Sequence, residues 1–255
     1  MKYLILMYGT EGLWTDDERR DCMVESLAIC EELAAKGQFL ATAPLQPVST
    51  AATVRVRDGK PFVTDGPFAE TTEQLGGYFV LDVADLDEAI AVAARLPPVR
   101  KGIAEIRPML ALDGLPPSRP LPAGSSVPGL TPYLLLCYHD DASWQKVDAT
   151  ARQEAMAEAA TLCRQLSDDG KYLSASPLHA AETATCVRVR EGKRIITDGP
   201  FAETHEVLGG FYAILAESRD EALRIAAQQP GARHGSIEVR PLFDVSGLHD
   251  SVSIS

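Results

Sequence analysis

Thr64-Asp65-Gly66-Pro67-Phe68-Ala69-Glu70-Thr71-Thr72-Glu73-Gln74-Leu75-Gly76-Gly77 returns 133 positions later as Thr197-Asp198-Gly199-Pro200-Phe201-Ala202-Glu203-Thr204-His205-Glu206-Val207-Leu208-Gly209-Gly210. All but two of these positions are identical, whereas the flanking stretches, from Gly37 to Leu110 and from Gly170 to Phe243, agree without a gap at about half of theirs. The chain is therefore a tandem duplication, and the block marks a place under stronger constraint than its surroundings. Either a demanding turn or a functional site satisfies that constraint.

Working outward, Val54-Arg55-Val56-Arg57 and Val187-Arg188-Val189-Arg190 alternate apolar and basic residues, as strands with one core face do. Asp58-Gly59 and Glu191-Gly192 turn each into a hairpin that leads to the block. The runs Tyr3 to Tyr8 and Tyr133 to Tyr138 are apolar throughout, which fits strands covered on both faces. Thr15-Asp16-Asp17-Glu18 has capping-box spacing and starts a helix that Gly37 stops. The second copy's helix carries Met156, Leu162, Cys163 and Leu166 and ends at Gly170. After the block come another strand and a short helix, capped by Asp85-Leu86-Asp87-Glu88 or Ser218-Arg219-Asp220-Glu221. A last strand holds Glu105-Ile106-Arg107-Pro108 or Glu238-Val239-Arg240-Pro241.

The order β-α-β-(hairpin)-β-α-β predicts an α+β fold of two tandem ferredoxin-like domains, 1–110 and 132–245, joined by a Pro/Gly-rich linker at 111–131 and followed by a tail at 246–255. Helices cover one face of each sheet, so the two bare faces are expected to cover each other in a pseudo-dimeric α+β barrel. Arg55, Arg57, Glu105 and Arg107 point away from the helix side in this reading and would line a polar cavity between the sheets.

The 255 residues carry a formal charge of −12, which speaks against a nucleic-acid surface. The apolar start stops at Gly9, short of a signal segment or a membrane span, and the chain is read as cytoplasmic. Five cysteines without a Cys-x-x-Cys pair suggest buried thiols.

The motif string Asp-Gly-Pro-Phe-Ala-Glu-Thr, with the Val-Arg-Val-Arg hairpin before it, Leu-Gly-Gly-aromatic after it and the terminal Glu-x-Arg-Pro, resembles the YCII-related superfamily, in particular its DGPF branch. The resemblance covers both copies and implies a ferredoxin-like domain that pairs into a dimeric α+β barrel. It further implies a small enzyme similar in fold to muconolactone isomerases, with a His and an Asp as acid/base pair, or a module associated with an extracytoplasmic-function sigma factor. The first copy has no histidine, and neither first helix carries one.

Asp65 and Asp198 are thus the acid/base candidates, with the rival reading that each locks its own turn by accepting backbone N–H groups. His179, which replaces Gln46 of the first copy, and His205, which replaces Thr72, are the candidate assistants. Arg55 and Arg188, with Glu70 and Glu203, are the candidate ligand-binding groups, and a charge network locking the halves is the alternative use of the same residues. No metal and no cofactor are expected, because no set of hard ligands converges and no phosphate-cradling motif occurs. The expected partner is a small anionic ligand, with no nucleic acid or membrane, and with room for a further homodimer. Catalysis, partner binding and pure assembly remain three open uses of the duplicated block.

Overall fold

The computed structural model describes residues 1–68, 71–119, 121, 127–140, 144, 146–202 and 206–248. Each copy supplies four strands of a ferredoxin-like layer. In the first these are β1 (Lys2–Gly9), β2 (Phe39–Pro44), β5 (Gln74–Asp82) and β6 (Ile103–Pro108), with helices α1 (Asp16–Ala35) and α2 (Leu86–Arg95) between them. In the second they are β7 (Thr131–Asp140), β8 (Tyr172–Pro177), β11 (Glu206–Ala216) and β12 (Gly235–Pro241), with α3 (Ala149–Asp168), α4 (Arg219–Gln228) and the short α5 (Gly231–His234). The Thr15 hydroxyl accepts from the Glu18 N–H, and Glu18 reaches back to the Thr15 N–H, so the predicted capping box is formed.

The hairpins β3 (Ala52–Arg57) with β4 (Lys60–Asp65), and β9 (Thr185–Arg190) with β10 (Lys193–Asp198), do not extend the sheets of their own copies. They are exchanged. One six-stranded sheet runs β10-β9-β6-β1-β5-β2 and the other β4-β3-β12-β7-β11-β8. Ile237 pairs with Val54 and Ala104 with Val187, so each copy's last strand is flanked by the other copy's hairpin.

Burial follows this exchange. Tyr3, Ile5 and Met7 face the helices of the first copy together with Val187, which comes from the second. Val54 packs in the same way among Leu135, Leu162 and Ile237 under the second copy's helices. Leu4, Leu6 and Tyr78 meet Leu134, Leu136 and Phe211 between the two sheets. Strand β1 is thus apolar on both faces because it lies between two cores.

Two local features depart from the sequence reading. The strand expected after the block already begins inside it, at Gln74, so the glycine pair lies within the strand at a register shift opposite Met7 and Tyr8. A Cβ on Gly77 would sit 3.1 Å from the Ala43 carbonyl oxygen, and one on Gly210 would sit 3.0 Å from that of Ser176, so the bulged strand needs glycine to approach its neighbour. The connecting segment also packs, with Leu115 against the second copy's helix-side core and Leu121 and Leu130 against the core between sheets. Among the described residues no helix is long and apolar enough to cross a membrane.

Candidate functional site

The Asp-Gly-Pro-Phe loops owe their shape to the exchanged strands. Gly66 and Gly199 take φ of +101° and +91°, a conformation that favours glycine. The Gly66 N–H donates to the Ala51 carbonyl and its own carbonyl accepts from the Thr53 hydroxyl; in the second copy Gly199 does the same with Ala184 and the Cys186 thiol. The next groups reach the opposite copy. The Phe68 N–H donates to Glu238 Oε2 at 2.8 Å, and its ring stacks on Tyr138 at 4.3 Å. The Phe201 N–H donates to Glu105 Oε2 at 2.9 Å, and its ring stacks on Tyr8 at 4.2 Å.

Each glutamate passes the contact onward. Arg107 Nη1 donates to Glu105 Oε1 at 3.4 Å and Nη2 donates to the His179 carbonyl at 2.8 Å. Arg240 Nη1 donates to Glu238 Oε1 at 3.1 Å and Nη2 donates to the Gln46 carbonyl at 2.9 Å. Both arginines are 1% exposed, and the Nε of each has no partner among the described residues. Burial, reinforced by the charge of Glu105 or Glu238, raises the phenols of Tyr8 and Tyr138 well above their ordinary range, so they stand beside this network as neutral groups.

Two cavities related by the duplication open next to these arginines. The first, of about 630 Å³, lies between α1 and the ends of β1, β2 and β5, and Arg240 of the second copy reaches its wall. The second, of about 320 Å³, lies between α3 and the ends of β7, β8 and β11, and is reached by Arg107 of the first copy. Their walls differ at matching positions. Gly9 and Gln46 line the first where His139 and His179 line the second. His139, His179 and His234 line the second, with Trp144 between the rings of His139 and His234 at 5.5 and 6.1 Å. In the first copy Lys101 takes the place of His234 and lies 4.6 Å over the Trp14 ring. A Cβ on Gly209 would fall 2.1 Å from the His139 ring, so the glycine pair also makes room for this imidazole.

The candidates from the sequence are distributed unevenly over this arrangement. His179 lines the second cavity. Asp65 is 86% exposed and pairs with Arg219 at 2.5 Å, Asp198 is exposed, and neither lines either large cavity. Neither carboxylate accepts a backbone N–H from a described residue; the turn is held by the ladder and by the opposite copy's glutamate. Arg55 and Arg188 are half-buried, line neither large cavity and pair with no described carboxylate. Their neighbours Arg57 and Arg190 donate instead to carbonyls of the opposite copy, Ala232 and Gly235 or Val99 and Gly102. Glu70, Glu203 and His205 lie outside the described residues.

His139, His234 and Arg240 were not among the sequence candidates, and Arg107 was expected only as part of a polar lining. The missed signal was the difference between copies at Gly9/His139 and Lys101/His234. Cys22 and Cys30 line the first cavity, but burial raises their thiols to about 11 and about 12, which leaves them protonated and poorly nucleophilic at neutral pH. Among the described residues no group of three or more His, Cys, Asp or Glu could hold a metal ion.

Two segments, residues 1–113 and 131–246, match the model of the YCII-related domain. The chain belongs to the YCII-related family. An uncharacterised protein of Rhizobium meliloti (strain 1021) is 37% identical over 114 residues, which cover 43% of this chain and 92% of that protein. That length corresponds to one copy. Among solved structures, a candidate dyp-type peroxidase from Shewanella oneidensis aligns with 100% of this chain and 95% of its own at a TM-score of 0.51 and 10% identity. A chlorite dismutase variant from Candidatus Nitrospira defluvii aligns with 99% and 94% at 0.44 and 11%. The first of these supports the α+β barrel assignment of this YCII-related chain, and at such identity it speaks to fold alone.

With each YCII-related segment holding one loop, one Glu-Arg pair and one cavity, exposed Asp65 and Asp198 are expected to contribute little to holding the halves together, the Asp65–Arg219 pair being a surface one. The variant Asp65→Ala/Asp198→Ala is expected to melt within about 2 °C of the parent protein by calorimetry, as surface changes usually do.

Proposed function

We propose that this YCII-related chain is a small-molecule enzyme or enzyme-like binding protein that takes a small organic anion at the inner end of its cavities, beside the buried arginine contributed by the opposite copy. The observation that carries this reading is that the Nε groups of Arg107 and Arg240 find no partner among the described residues, each in a residue that lines a largely apolar cavity. A buried donor without a partner is costly, and a carboxylate offers the missing acceptor. In this reading His179, with His139 and His234, supplies proton transfer in the second cavity, since imidazole serves as both acid and base near neutral pH. The first cavity, without histidine, binds without that chemistry. Asp65 and Asp198 act at the surface.

Cys22 and Ala155 occupy matching positions on the two cavity walls, so Cys22→Phe and Ala155→Phe each fill one cavity. A thermal-shift series with acetate, benzoate and phthalate is expected to raise the melting temperature of the parent, by an amount equivalent to about 2.7 kcal/mol at a hundredfold excess over Kd. Each filling variant should remove one part of that shift. Shifts that survive in the doubly filled protein would sink the reading.

A further inference from the structure

The two exchanged hairpins end their sheets with different edges. All six residues of β4 and of β10 are exposed, and each strand has a neighbour on one side only. An edge of this kind offers unpaired N–H and C=O groups to another strand. The Gly199 N–H donates inward to the Ala184 carbonyl, so with the alternation of a strand the odd-numbered residues of β10 bond to β9 and Arg194, Ile196 and Asp198 turn their backbone groups outward. By the same rule Pro61, Val63 and Asp65 are the outward residues of β4, and Pro61 has no N–H to give. The first copy's edge is blunted and the second copy's is not.

The outward set on β10 is complementary to itself. When two β10 strands run antiparallel about a twofold axis at Ile196, Ile196 faces its own copy and Arg194 faces Asp198 on both sides of it. Ile195 and Ile196, at 44% and 43% exposure, lose water in the same step. Asp198 has no ion-pair partner among the described residues, whereas Asp65 is already paired with Arg219. We propose that two copies of this chain associate through β10, joining their sheets edge to edge with Arg194 opposite Asp198 of the second copy. A six-residue ladder buries less than a standard interface, so the association is weak and reversible.

Sedimentation equilibrium of the full chain tests this. The mass is expected to rise from the 27.5 kDa monomer towards twice that value between about 1 and about 500 µM protein. Arg194→Pro copies onto β10 the residue that β4 already tolerates at the matching position, and it should hold the protein monomeric at every concentration. Asp198→Arg should do the same by placing like charges opposite each other, while Arg194→Asp/Asp198→Arg should recover the dimer. Val63→Lys on the other edge should leave association unchanged. A monomer throughout, a dimer that persists in Arg194→Pro, or a dimer abolished by Val63→Lys would overturn the proposal.

Discussion

Arg107→Met is expected to destabilise the protein by about 3–5 kcal/mol in urea unfolding, because it strands a buried carboxylate. Glu105 is 3% exposed and lies between two donors, the guanidinium of Arg107 and the Phe201 N–H. Removing the arginine leaves that charge in a low-dielectric interior with one hydrogen bond, and it also frees the His179 carbonyl. Arg240→Met should match it through Glu238 and Gln46. Adding Glu105→Gln to Arg107→Met should recover part of the loss, since the amide oxygen still accepts from Phe201 while the stranded charge is gone. A loss below about 1 kcal/mol for either single arginine variant would show that this network does not hold the copies together.

The second large effect is expected at Gly235. A Cβ there would lie 1.9 Å from the Tyr138 carbonyl oxygen and 2.9 Å from the His139 Cα, both main-chain atoms of the neighbouring strand. They cannot swing away as a side-chain tip would, so Gly235→Ala has to push β12 off β7. That movement would also carry the Gly235 carbonyl away from Arg57, the residue that ties the exchanged hairpin to this corner. A cost of roughly 3 kcal/mol or more is expected in the same unfolding assay. Gly102→Ala, whose Cβ would come 2.2 Å from the Tyr8 carbonyl oxygen, should behave alike. Gly192→Ala has open space and meets only the strain of φ +72°, so about 1 kcal/mol is expected. Equal costs at the three positions would mean that backbone conformation, not close approach, sets the effect.

Much of the architecture was legible in local chemistry. The Thr15 to Glu18 spacing declared its helix start, the Asp58-Gly59 turn its hairpin, and the unbroken apolar run of Tyr3 to Tyr8 its double burial. The exchange was not legible, because an alternation such as Val54-Arg55-Val56-Arg57 states which face is buried without stating whose helices bury it. Arg57 was placed in a polar cavity between the sheets for the same reason: its pull towards the Ala232 and Gly235 carbonyls exists only once the hairpin has crossed over. Identity between the copies does not mark the cavities. The block that repeats so closely closes the structure, through Phe68 on Glu238 and Phe201 on Glu105, and the residues that distinguish the cavities are those at which the copies disagree. His139, His179 and His234 are far apart in the chain and meet only through tertiary folding, so no motif could announce them.

The hairpin exchange also sets a timetable for synthesis. Phe68 meets Glu238 across 170 positions, and Phe201 meets Glu105 across 96. While the ribosome is still making the second copy, the first hairpin has no sheet to join, and its apolar side, with Val54 and Val56, stays open to water and to other nascent chains. Only when β12 emerges can the first hairpin dock and the first copy's loop close. Such late, long-range closure slows folding and prolongs the aggregation-prone interval. The chain is thus two repeats in its sequence whose sheets are each completed by the other repeat, and a product cut short between the repeats would leave both its hairpin and its bare sheet face without cover.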